Sequence, residues 1–168
     1  MEKGMVVMFG LFKRKKYVDV YSPMDGILVK IEEVPDPVFA QKMVGDGIAV
    51  EPAKGLVVSP VDGTVIQLFP TKHALGIRTK EGLEILIHIG MDTVEMKGDG
   101  FESFVSEGDR VKIGDKLITF DIEKVKEKHP LTSPVIITNG DIVDKIEKVE
   151  DSKEVKAGES RVMRVYLK

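Results

Sequence analysis

Two histidines, His73 in "FPTKHALGI" and His88 in "EILIHIGMDTVEMKGDGF", stand fifteen positions apart in a chain with three histidines and no cysteine. Imidazole titrates near neutral pH, so a histidine inside an apolar run must be satisfied by a partner or put to use. Taken alone, each reads as a satisfied core histidine. Together they could ligate zinc, but no third ligand stands at a recognised spacing. The lack of cysteine removes thiolate ligands and disulfides, as suits a reducing compartment.

The elements that must position this pair read mostly as strands. In "EILIHIG" the alternation places Ile85, Ile87 and Ile89 on one face and Leu86 and His88 on the other. If the isoleucines pack the core, His88 points from a rigid strand into a site on the opposite face. Upstream, "YSPMDGILVKI" and "VSPVDGTVIQLF" repeat one pattern 37 residues apart, Ser22-Pro23 with Asp25-Gly26 and Ser59-Pro60 with Asp62-Gly63. Each is expected to be a Pro-started turn, with Asp-Gly supplying positive φ, before an alternating strand. "LTSPVIITN" echoes the first half of the pattern at Ser133-Pro134. Gly108-Asp109 and Gly114-Asp115 bracket a short strand expected over Val111–Ile113, a turn pattern also found in lipoyl-type barrel-sandwich domains. No lysine stands at an exposed hairpin tip in the motif those carriers modify, which leaves a lipoyl or biotinyl carrier the weaker reading. "FAQKMV" and "GFESFV" are each expected to form about one helical turn, and "DIEKVKEKH" a short helix ended by Pro130. The expected fold is an all-β antiparallel sandwich with an internal repeat and a few short helices.

Four stretches carry a family resemblance: "VPDPVFAQKMVGDGIAV" (34–50), "SPVDGTVIQLFPTKHALGI" (59–77), "LIHIGMDTVEMKGDGF" (86–101) and "VSEGDRVKIGDKL" (105–117). In this order they resemble the glucose-type enzyme IIA of the bacterial phosphoenolpyruvate-dependent sugar phosphotransferase system. The resemblance runs from about Val18 to the C-terminus, which sets an expected domain over 18–168 behind a tail over 1–17. It implies the duplicated hybrid motif of the barrel-sandwich type. It also implies a phosphocarrier that accepts a phosphoryl group from phospho-HPr and passes it to the IIB domain of a glucose-family sugar permease. A regulatory protein of the same fold, acting through its phosphorylation state on transporters or kinases, is the alternative. Neutral imidazole suits phosphoryl acceptance, because one ring nitrogen keeps a free lone pair and the phosphoramidate formed retains a high transfer potential.

By the resemblance, His88 is the residue phosphorylated, through Nε2, and His73 contacts the phosphoryl group. Gly90 would let a backbone carbonyl accept from His88 Nδ1–H and fix the tautomer. Thr71 matches the family's T-x-H pattern and would bond His73 in the same way. Asp92 would help orient the site or the partner, or be a simple turn residue. Phe39, Val44, Val94 and Phe69 occupy or flank the family's apolar rim, with Phe69 better read as core. Asp36, Asp92 and Glu95 could steer a basic partner. Gln41 stands where some enteric relatives have an acidic residue, so those relatives' regulatory targets are not carried over. No cofactor or metal is implied.

The chain's 168 residues suit a single domain. With 25 basic and 28 acidic residues it lacks the basic face of a nucleic-acid binder. Met5 to Phe12 is mostly apolar and is followed by Lys13, Arg14, Lys15 and Lys16, the reverse of a secretory signal's order. A bilayer span needs roughly 20 apolar residues, far more than this. The segment reads equally as a solvated tail or as a short amphipathic contact with anionic lipid, and "MFGLFKRKK" also reads as a start at Met8. The expected location is the cytoplasm.

Overall fold

The alternating runs and their Gly, Pro and Asp punctuation become strands throughout the computed structural model, which describes residues 16–168. In chain order the strands are β1 (Tyr17–Tyr21), β2 (Gly26–Lys30), β3 (Asp46–Pro52), β4 (Leu56–Val58), β5 (Gly63–Leu68), β6 (Ala74–Arg78), β7 (Glu84–His88), β8 (Phe101–Ser103), β9 (Arg110–Val111), β10 (Lys116–Phe120), β11 (Ser133–Ile137), β12 (Val143–Lys148), β13 (Glu154–Val155) and β14 (Arg161–Leu167). Two short helices interrupt them, α1 (Pro37–Ala40) and α2 (Ile122–Lys126), capped by Asp36 and Asp121. An eight-stranded sheet runs in the order β13-β2-β3-β11-β7-β6-β5-β9, beside three-stranded sheets β1-β14-β12 and β4-β10-β8. Neighbouring strands pair antiparallel, the sandwich expected from the sequence. Ile85, Ile87 and Ile89 are buried in the main core, while Leu86 turns toward a smaller second cluster around Ile31, Phe39 and Ile136. The tail expected over 1–17, including the Met8 start and the lipid contact, lies outside the described residues as far as position 15. Tyr17 itself already pairs with Tyr166.

The 37-residue repeat is a structural duplication. Tyr21 N–H donates to the Pro60 carbonyl at 2.9 Å, and Val58 N–H returns the bond to the Pro23 carbonyl at 2.8 Å. The buried hydroxyls of Ser22 and Ser59 donate to the carbonyls of Met24 and Val61, each at 2.6 Å. Asp25 then accepts from Ala157 N–H at 2.8 Å, as Asp62 accepts from Ile113 N–H at 2.9 Å. Gly158 and Gly114 donate to the carbonyls of Ser22 and Ser59 at 2.8 and 2.9 Å. The repeat therefore has a second half that the sequence pattern hides, Ala157-Gly158 standing opposite Ile113-Gly114. These bonds satisfy buried backbone groups where the strands change direction.

Several local expectations are corrected. Gly26 and Gly63 do not take positive φ. They are glycine because a Cβ would fall on the Glu51 and Arg78 carbonyl oxygens of the paired strands. "GFESFV" is β8 and not a helical turn, since Phe101–Ser103 pairs with β10. The strand expected over Val111–Ile113 is Arg110–Val111, with Ile113 in the following turn. Ser133 opens a fully buried strand and does not repeat the turn, its hydroxyl donating instead to the Leu131 carbonyl.

Gly26→Ala and Gly63→Ala should each lower stability by about 3 kcal/mol, because the added Cβ meets backbone and forces the strands apart. Gly108→Ala, at φ 95 with open space around it, should cost only the left-handed backbone strain, about 1–2 kcal/mol. Urea unfolding of the three variants checks the cause: a loss at Gly63 no larger than at Gly108 would show that steric contact is not what selects glycine there.

Candidate functional site

The register of β6 against β7 brings the two histidines together. Ala74 lies opposite His88, and Ile89 N–H donates to the His73 carbonyl at 2.7 Å, so fifteen residues of chain close into a hairpin with both imidazoles at one end. The rings meet edge to face, centroids 5.0 Å apart. His73 is only 4% exposed and His88 is half-buried. Phe39 lies against His88 at 5.0 Å and Phe69 stands edge-on to His73 at 5.4 Å.

Each Nδ1 has a partner two residues away in sequence. The Thr71 hydroxyl lies 2.5 Å from His73 Nδ1, on a turn that Lys72 closes with φ 61 and a bond from its N–H to the Phe69 carbonyl. The His88 Nδ1 lies 2.8 Å from the Gly90 carbonyl. A carbonyl can only accept, so this Nδ1 carries a proton, and in the neutral ring the lone pair is left on Nε2. Gly90 has φ 69, and a Cβ there would sit 2.8 Å from the Thr93 methyl and 3.1 Å from the Pro130 carbonyl oxygen. Its conformation and its crowding both demand glycine. Neither Nε2 has a hydrogen-bond partner among the described residues. The pair thus presents two free ring nitrogens on an apolar floor, an arrangement suited to handling a tetrahedral anion or to nucleophilic attack.

Burial sets the electrostatics. It pushes the His73 pKa down to about 4, with repulsion from the neighbouring His88 ring adding to the shift. It also lowers that of His88, partly offset by the bond to Gly90 and by the charges of Asp36 and Asp92. Two close imidazoles with little water between them are therefore held neutral near pH 7.

The expected site residues are distributed unevenly around this pair. Thr71 and Gly90 touch the imidazoles directly. Asp92 is exposed in a left-handed turn, acting on His88 through its charge. Asp36 is committed to capping α1, accepting from Val38 N–H at 2.9 Å. Phe39 is buried against His88 as part of the second cluster, Val44 packs on that cluster half-buried, and Val94 is 51% exposed. Phe69, expected in the core, is half-exposed and belongs to the site. Val38 and Met43, on and just after α1, are also exposed and were not in the expected rim. Ser133 was read only as a turn echo, yet its hydroxyl accepts from Gly90 N–H at 3.0 Å. A turn motif gives no hint of a contact 43 positions away. Among the described residues no group of three His, Asp or Glu side chains is placed to hold a metal, and no helix is long and apolar enough to cross a membrane.

The structure closely matches the solved glucose permease IIA of Mycoplasma capricolum, with a TM-score of 0.84, 44% identity, and coverage of 91% of this chain and 99% of that one. Proteins called PTS system glucose-specific EIIA component are 51% identical in Bacillus cereus, over 96% of this chain and 98% of the relative, and 51% identical in Halalkalibacterium halodurans, over 95% and 96%. Residues 18–143 match the family described as phosphoenolpyruvate-dependent sugar phosphotransferase system, EIIA 1, and the chain belongs to that family. It is accordingly a phosphotransferase component with a phosphocarrier role in sugar transport.

The depressed His73 pKa has a signed consequence. In the unfolded chain His73 protonates near 6.5, whereas in the folded chain it stays neutral to about 4. Between those values the unfolded state binds more protons, so this residue lowers stability as pH falls through that window, by roughly 3 kcal/mol in all, and contributes no slope above it. Imidazole proton shifts followed by NMR should show His73 untitrated down to about pH 5, and a wild-type titration near 6.5 would refute its desolvation.

Proposed function

We propose that His88 accepts a phosphoryl group on Nε2 from phospho-HPr and passes it to the IIB domain of a glucose-family sugar permease. The observation that carries this reading is the single-acceptor bond from His88 Nδ1 to the Gly90 carbonyl, which leaves Nε2 as the ring's nucleophilic atom. In acceptance, the Nε2 lone pair forms a bond to phosphorus as the donor's phosphorus–nitrogen bond breaks and its electron pair returns to the donor ring. The His88 ring gains positive character while its Nδ1 proton stays bonded to the Gly90 carbonyl, which stabilises that charge. Donation to the next protein reverses the same step, with neutral imidazole as the leaving group. His73 contributes from the side. A Thr71 O–H donating to Nδ1 leaves His73 with an Nε2–H that can bond a phosphoryl oxygen in both directions of transfer.

Both partners must meet the same Nε2 in line, so their footprints overlap around it. Phe39 and Phe69 form a dry floor, Val44 and Val94 the rim, and Asp36, Asp92 and Glu95 a negative margin that steers a basic partner surface. The proposed unit is the domain over 18–168, working in the cytoplasm, with no cofactor. The family's description and the relatives' glucose-specific names support a phosphocarrier role in sugar transport, the coarser part of this reading.

Incubation with enzyme I, HPr and phosphoenolpyruvate should add one acid-labile, base-stable phosphoryl group by intact mass. His88→Ala should abolish that gain while the protein keeps its melting profile, and robust labelling of this variant would place the acceptor elsewhere. His73→Ala should still be labelled but should donate to IIB about 100-fold more slowly; donation at the wild-type rate would leave His73 a structural role only. Val94→Asp, by burying a charge at the contact, should weaken HPr and IIB alike by about 1–3 kcal/mol. Loss of only one interaction in titrations with each partner would refute a shared face.

A further inference from the structure

The His88 tautomer depends on where the Gly90 carbonyl points, and that carbonyl is itself held from outside the hairpin. Met91 N–H, in the same peptide plane as the Gly90 carbonyl, donates to the Pro130 carbonyl at 3.0 Å. Gly90 N–H, in the preceding plane, donates to the Ser133 hydroxyl at 3.0 Å, and that hydroxyl spends its one proton on the Leu131 carbonyl at 2.8 Å. The segment from Pro130 to Ser133 therefore grips both peptides of the Gly90 turn, one through a backbone carbonyl and one through a side chain. Ser133 is fully buried and Gly90 is buried, so a lost partner there is not readily replaced by water.

We infer that Ser133 is a positioning residue for phosphoryl transfer, acting through Gly90 to hold the Nδ1–H tautomer of His88. A hydroxyl that donates becomes a better acceptor, so the bond from Ser133 to Leu131 strengthens its grip on the Gly90 amide. With both flanking planes fixed, the Gly90 carbonyl can only aim at His88 Nδ1. Without Ser133, the Ile89–Gly90 plane keeps only the bond from the Thr93 hydroxyl to the Ile89 carbonyl at 2.5 Å, so the turn loosens on its Gly90 N–H side and the His88 proton redistributes between its two nitrogens. The fraction of rings with a free Nε2 lone pair then falls, and phosphoryl acceptance falls with it. Nothing in this chain requires Ser133 to touch the phosphoryl group.

The inference rests on His88 as acceptor, and its test separates the two. Nitrogen shifts of the His88 ring report the tautomer in the unphosphorylated protein, whichever histidine accepts. Ser133→Ala should convert a single tautomer into a mixture and slow acceptance from phospho-HPr at saturating donor by about tenfold. Ser133→Thr, which keeps the hydroxyl, should restore both readings together. An unchanged tautomer in Ser133→Ala overturns the inference, as does slowed acceptance that Ser133→Thr fails to rescue. Labelling of His88→Ala would instead overturn the acceptor assignment and with it the role of Ser133 in transfer, whatever the tautomer reading shows. The wild-type Gly90 amide reads the same bond without substitution: it should exchange slowly with solvent and shift on phosphorylation. A fast-exchanging Gly90 amide refutes the relay even where Ser133→Ala does not fold.

Discussion

Two imidazoles 5.0 Å apart, with one ring almost wholly removed from water, cannot both carry charge, and the surrounding structure follows from that constraint. Burial favours the neutral form of each, and each ring's charge would penalise the other. A neutral imidazole is a useful nucleophile only if its proton is kept on the correct nitrogen. The Gly90 carbonyl meets that need for His88, and the Thr71 hydroxyl holds Nδ1 of His73 in a second short loop, each closing back over two residues. Short loops are stiff, and both contain a left-handed residue, Lys72 and Gly90. The left-handed lysine marks a place where local backbone preference gives way to ring placement.

Such local strain holds only on an unyielding support, which the eight-stranded sheet provides. His88 ends β7, a central strand flanked by β6 and β11, with its isoleucine face in the main core. The duplicated Ser-Pro turns are joined by matched reciprocal bonds, Tyr21 to Pro60 and Val58 to Pro23. Strand register is thus set by backbone bonds and buried hydroxyls at the turns as well as by apolar alternation, and a one-residue slip would break both. Ala74 opposite His88 is one consequence of that register, and the hairpin between them is what gathers the pair.

What the sequence revealed was whatever repeats at short range. The period-two alternation in "EILIHIG" placed His88 on the correct face, and "TKH" and "HIG" put the Nδ1 partners two residues from their rings. Interactions closed by distant chain were misread or missed. Gly26 and Gly63 look like positive-φ turn residues beside aspartate, but the paired strand's carbonyl selects them. "GFESFV" has apolar spacing that suits a helical turn, yet β10 supplies ladder bonds that make Phe101–Ser103 a strand. Phe69 looks like an ordinary core aromatic in "IQLFP" and is drawn out to His73 by the Thr71 turn. Ala157-Gly158 mirrors Ile113-Gly114 only after both reach the duplicated turns.

Phe39 shows how the site and its contact surface are joined in one piece. Its ring lies under His88 and is also part of the second apolar cluster with Ile31, Val34, Ala49, Met91 and Ile136. It reaches that position from α1, a helix too short to persist on intrinsic propensity and fixed instead by Pro37 in its first turn and the Asp36 cap. The same Asp36 carboxylate raises the His88 pKa against its burial. One aspartate thus settles the aromatic floor and part of the field above it. Exposed Val38 and Met43 ride on or beside that helix. A partner pressing on them bears on α1, and through Phe39 on the His88 ring.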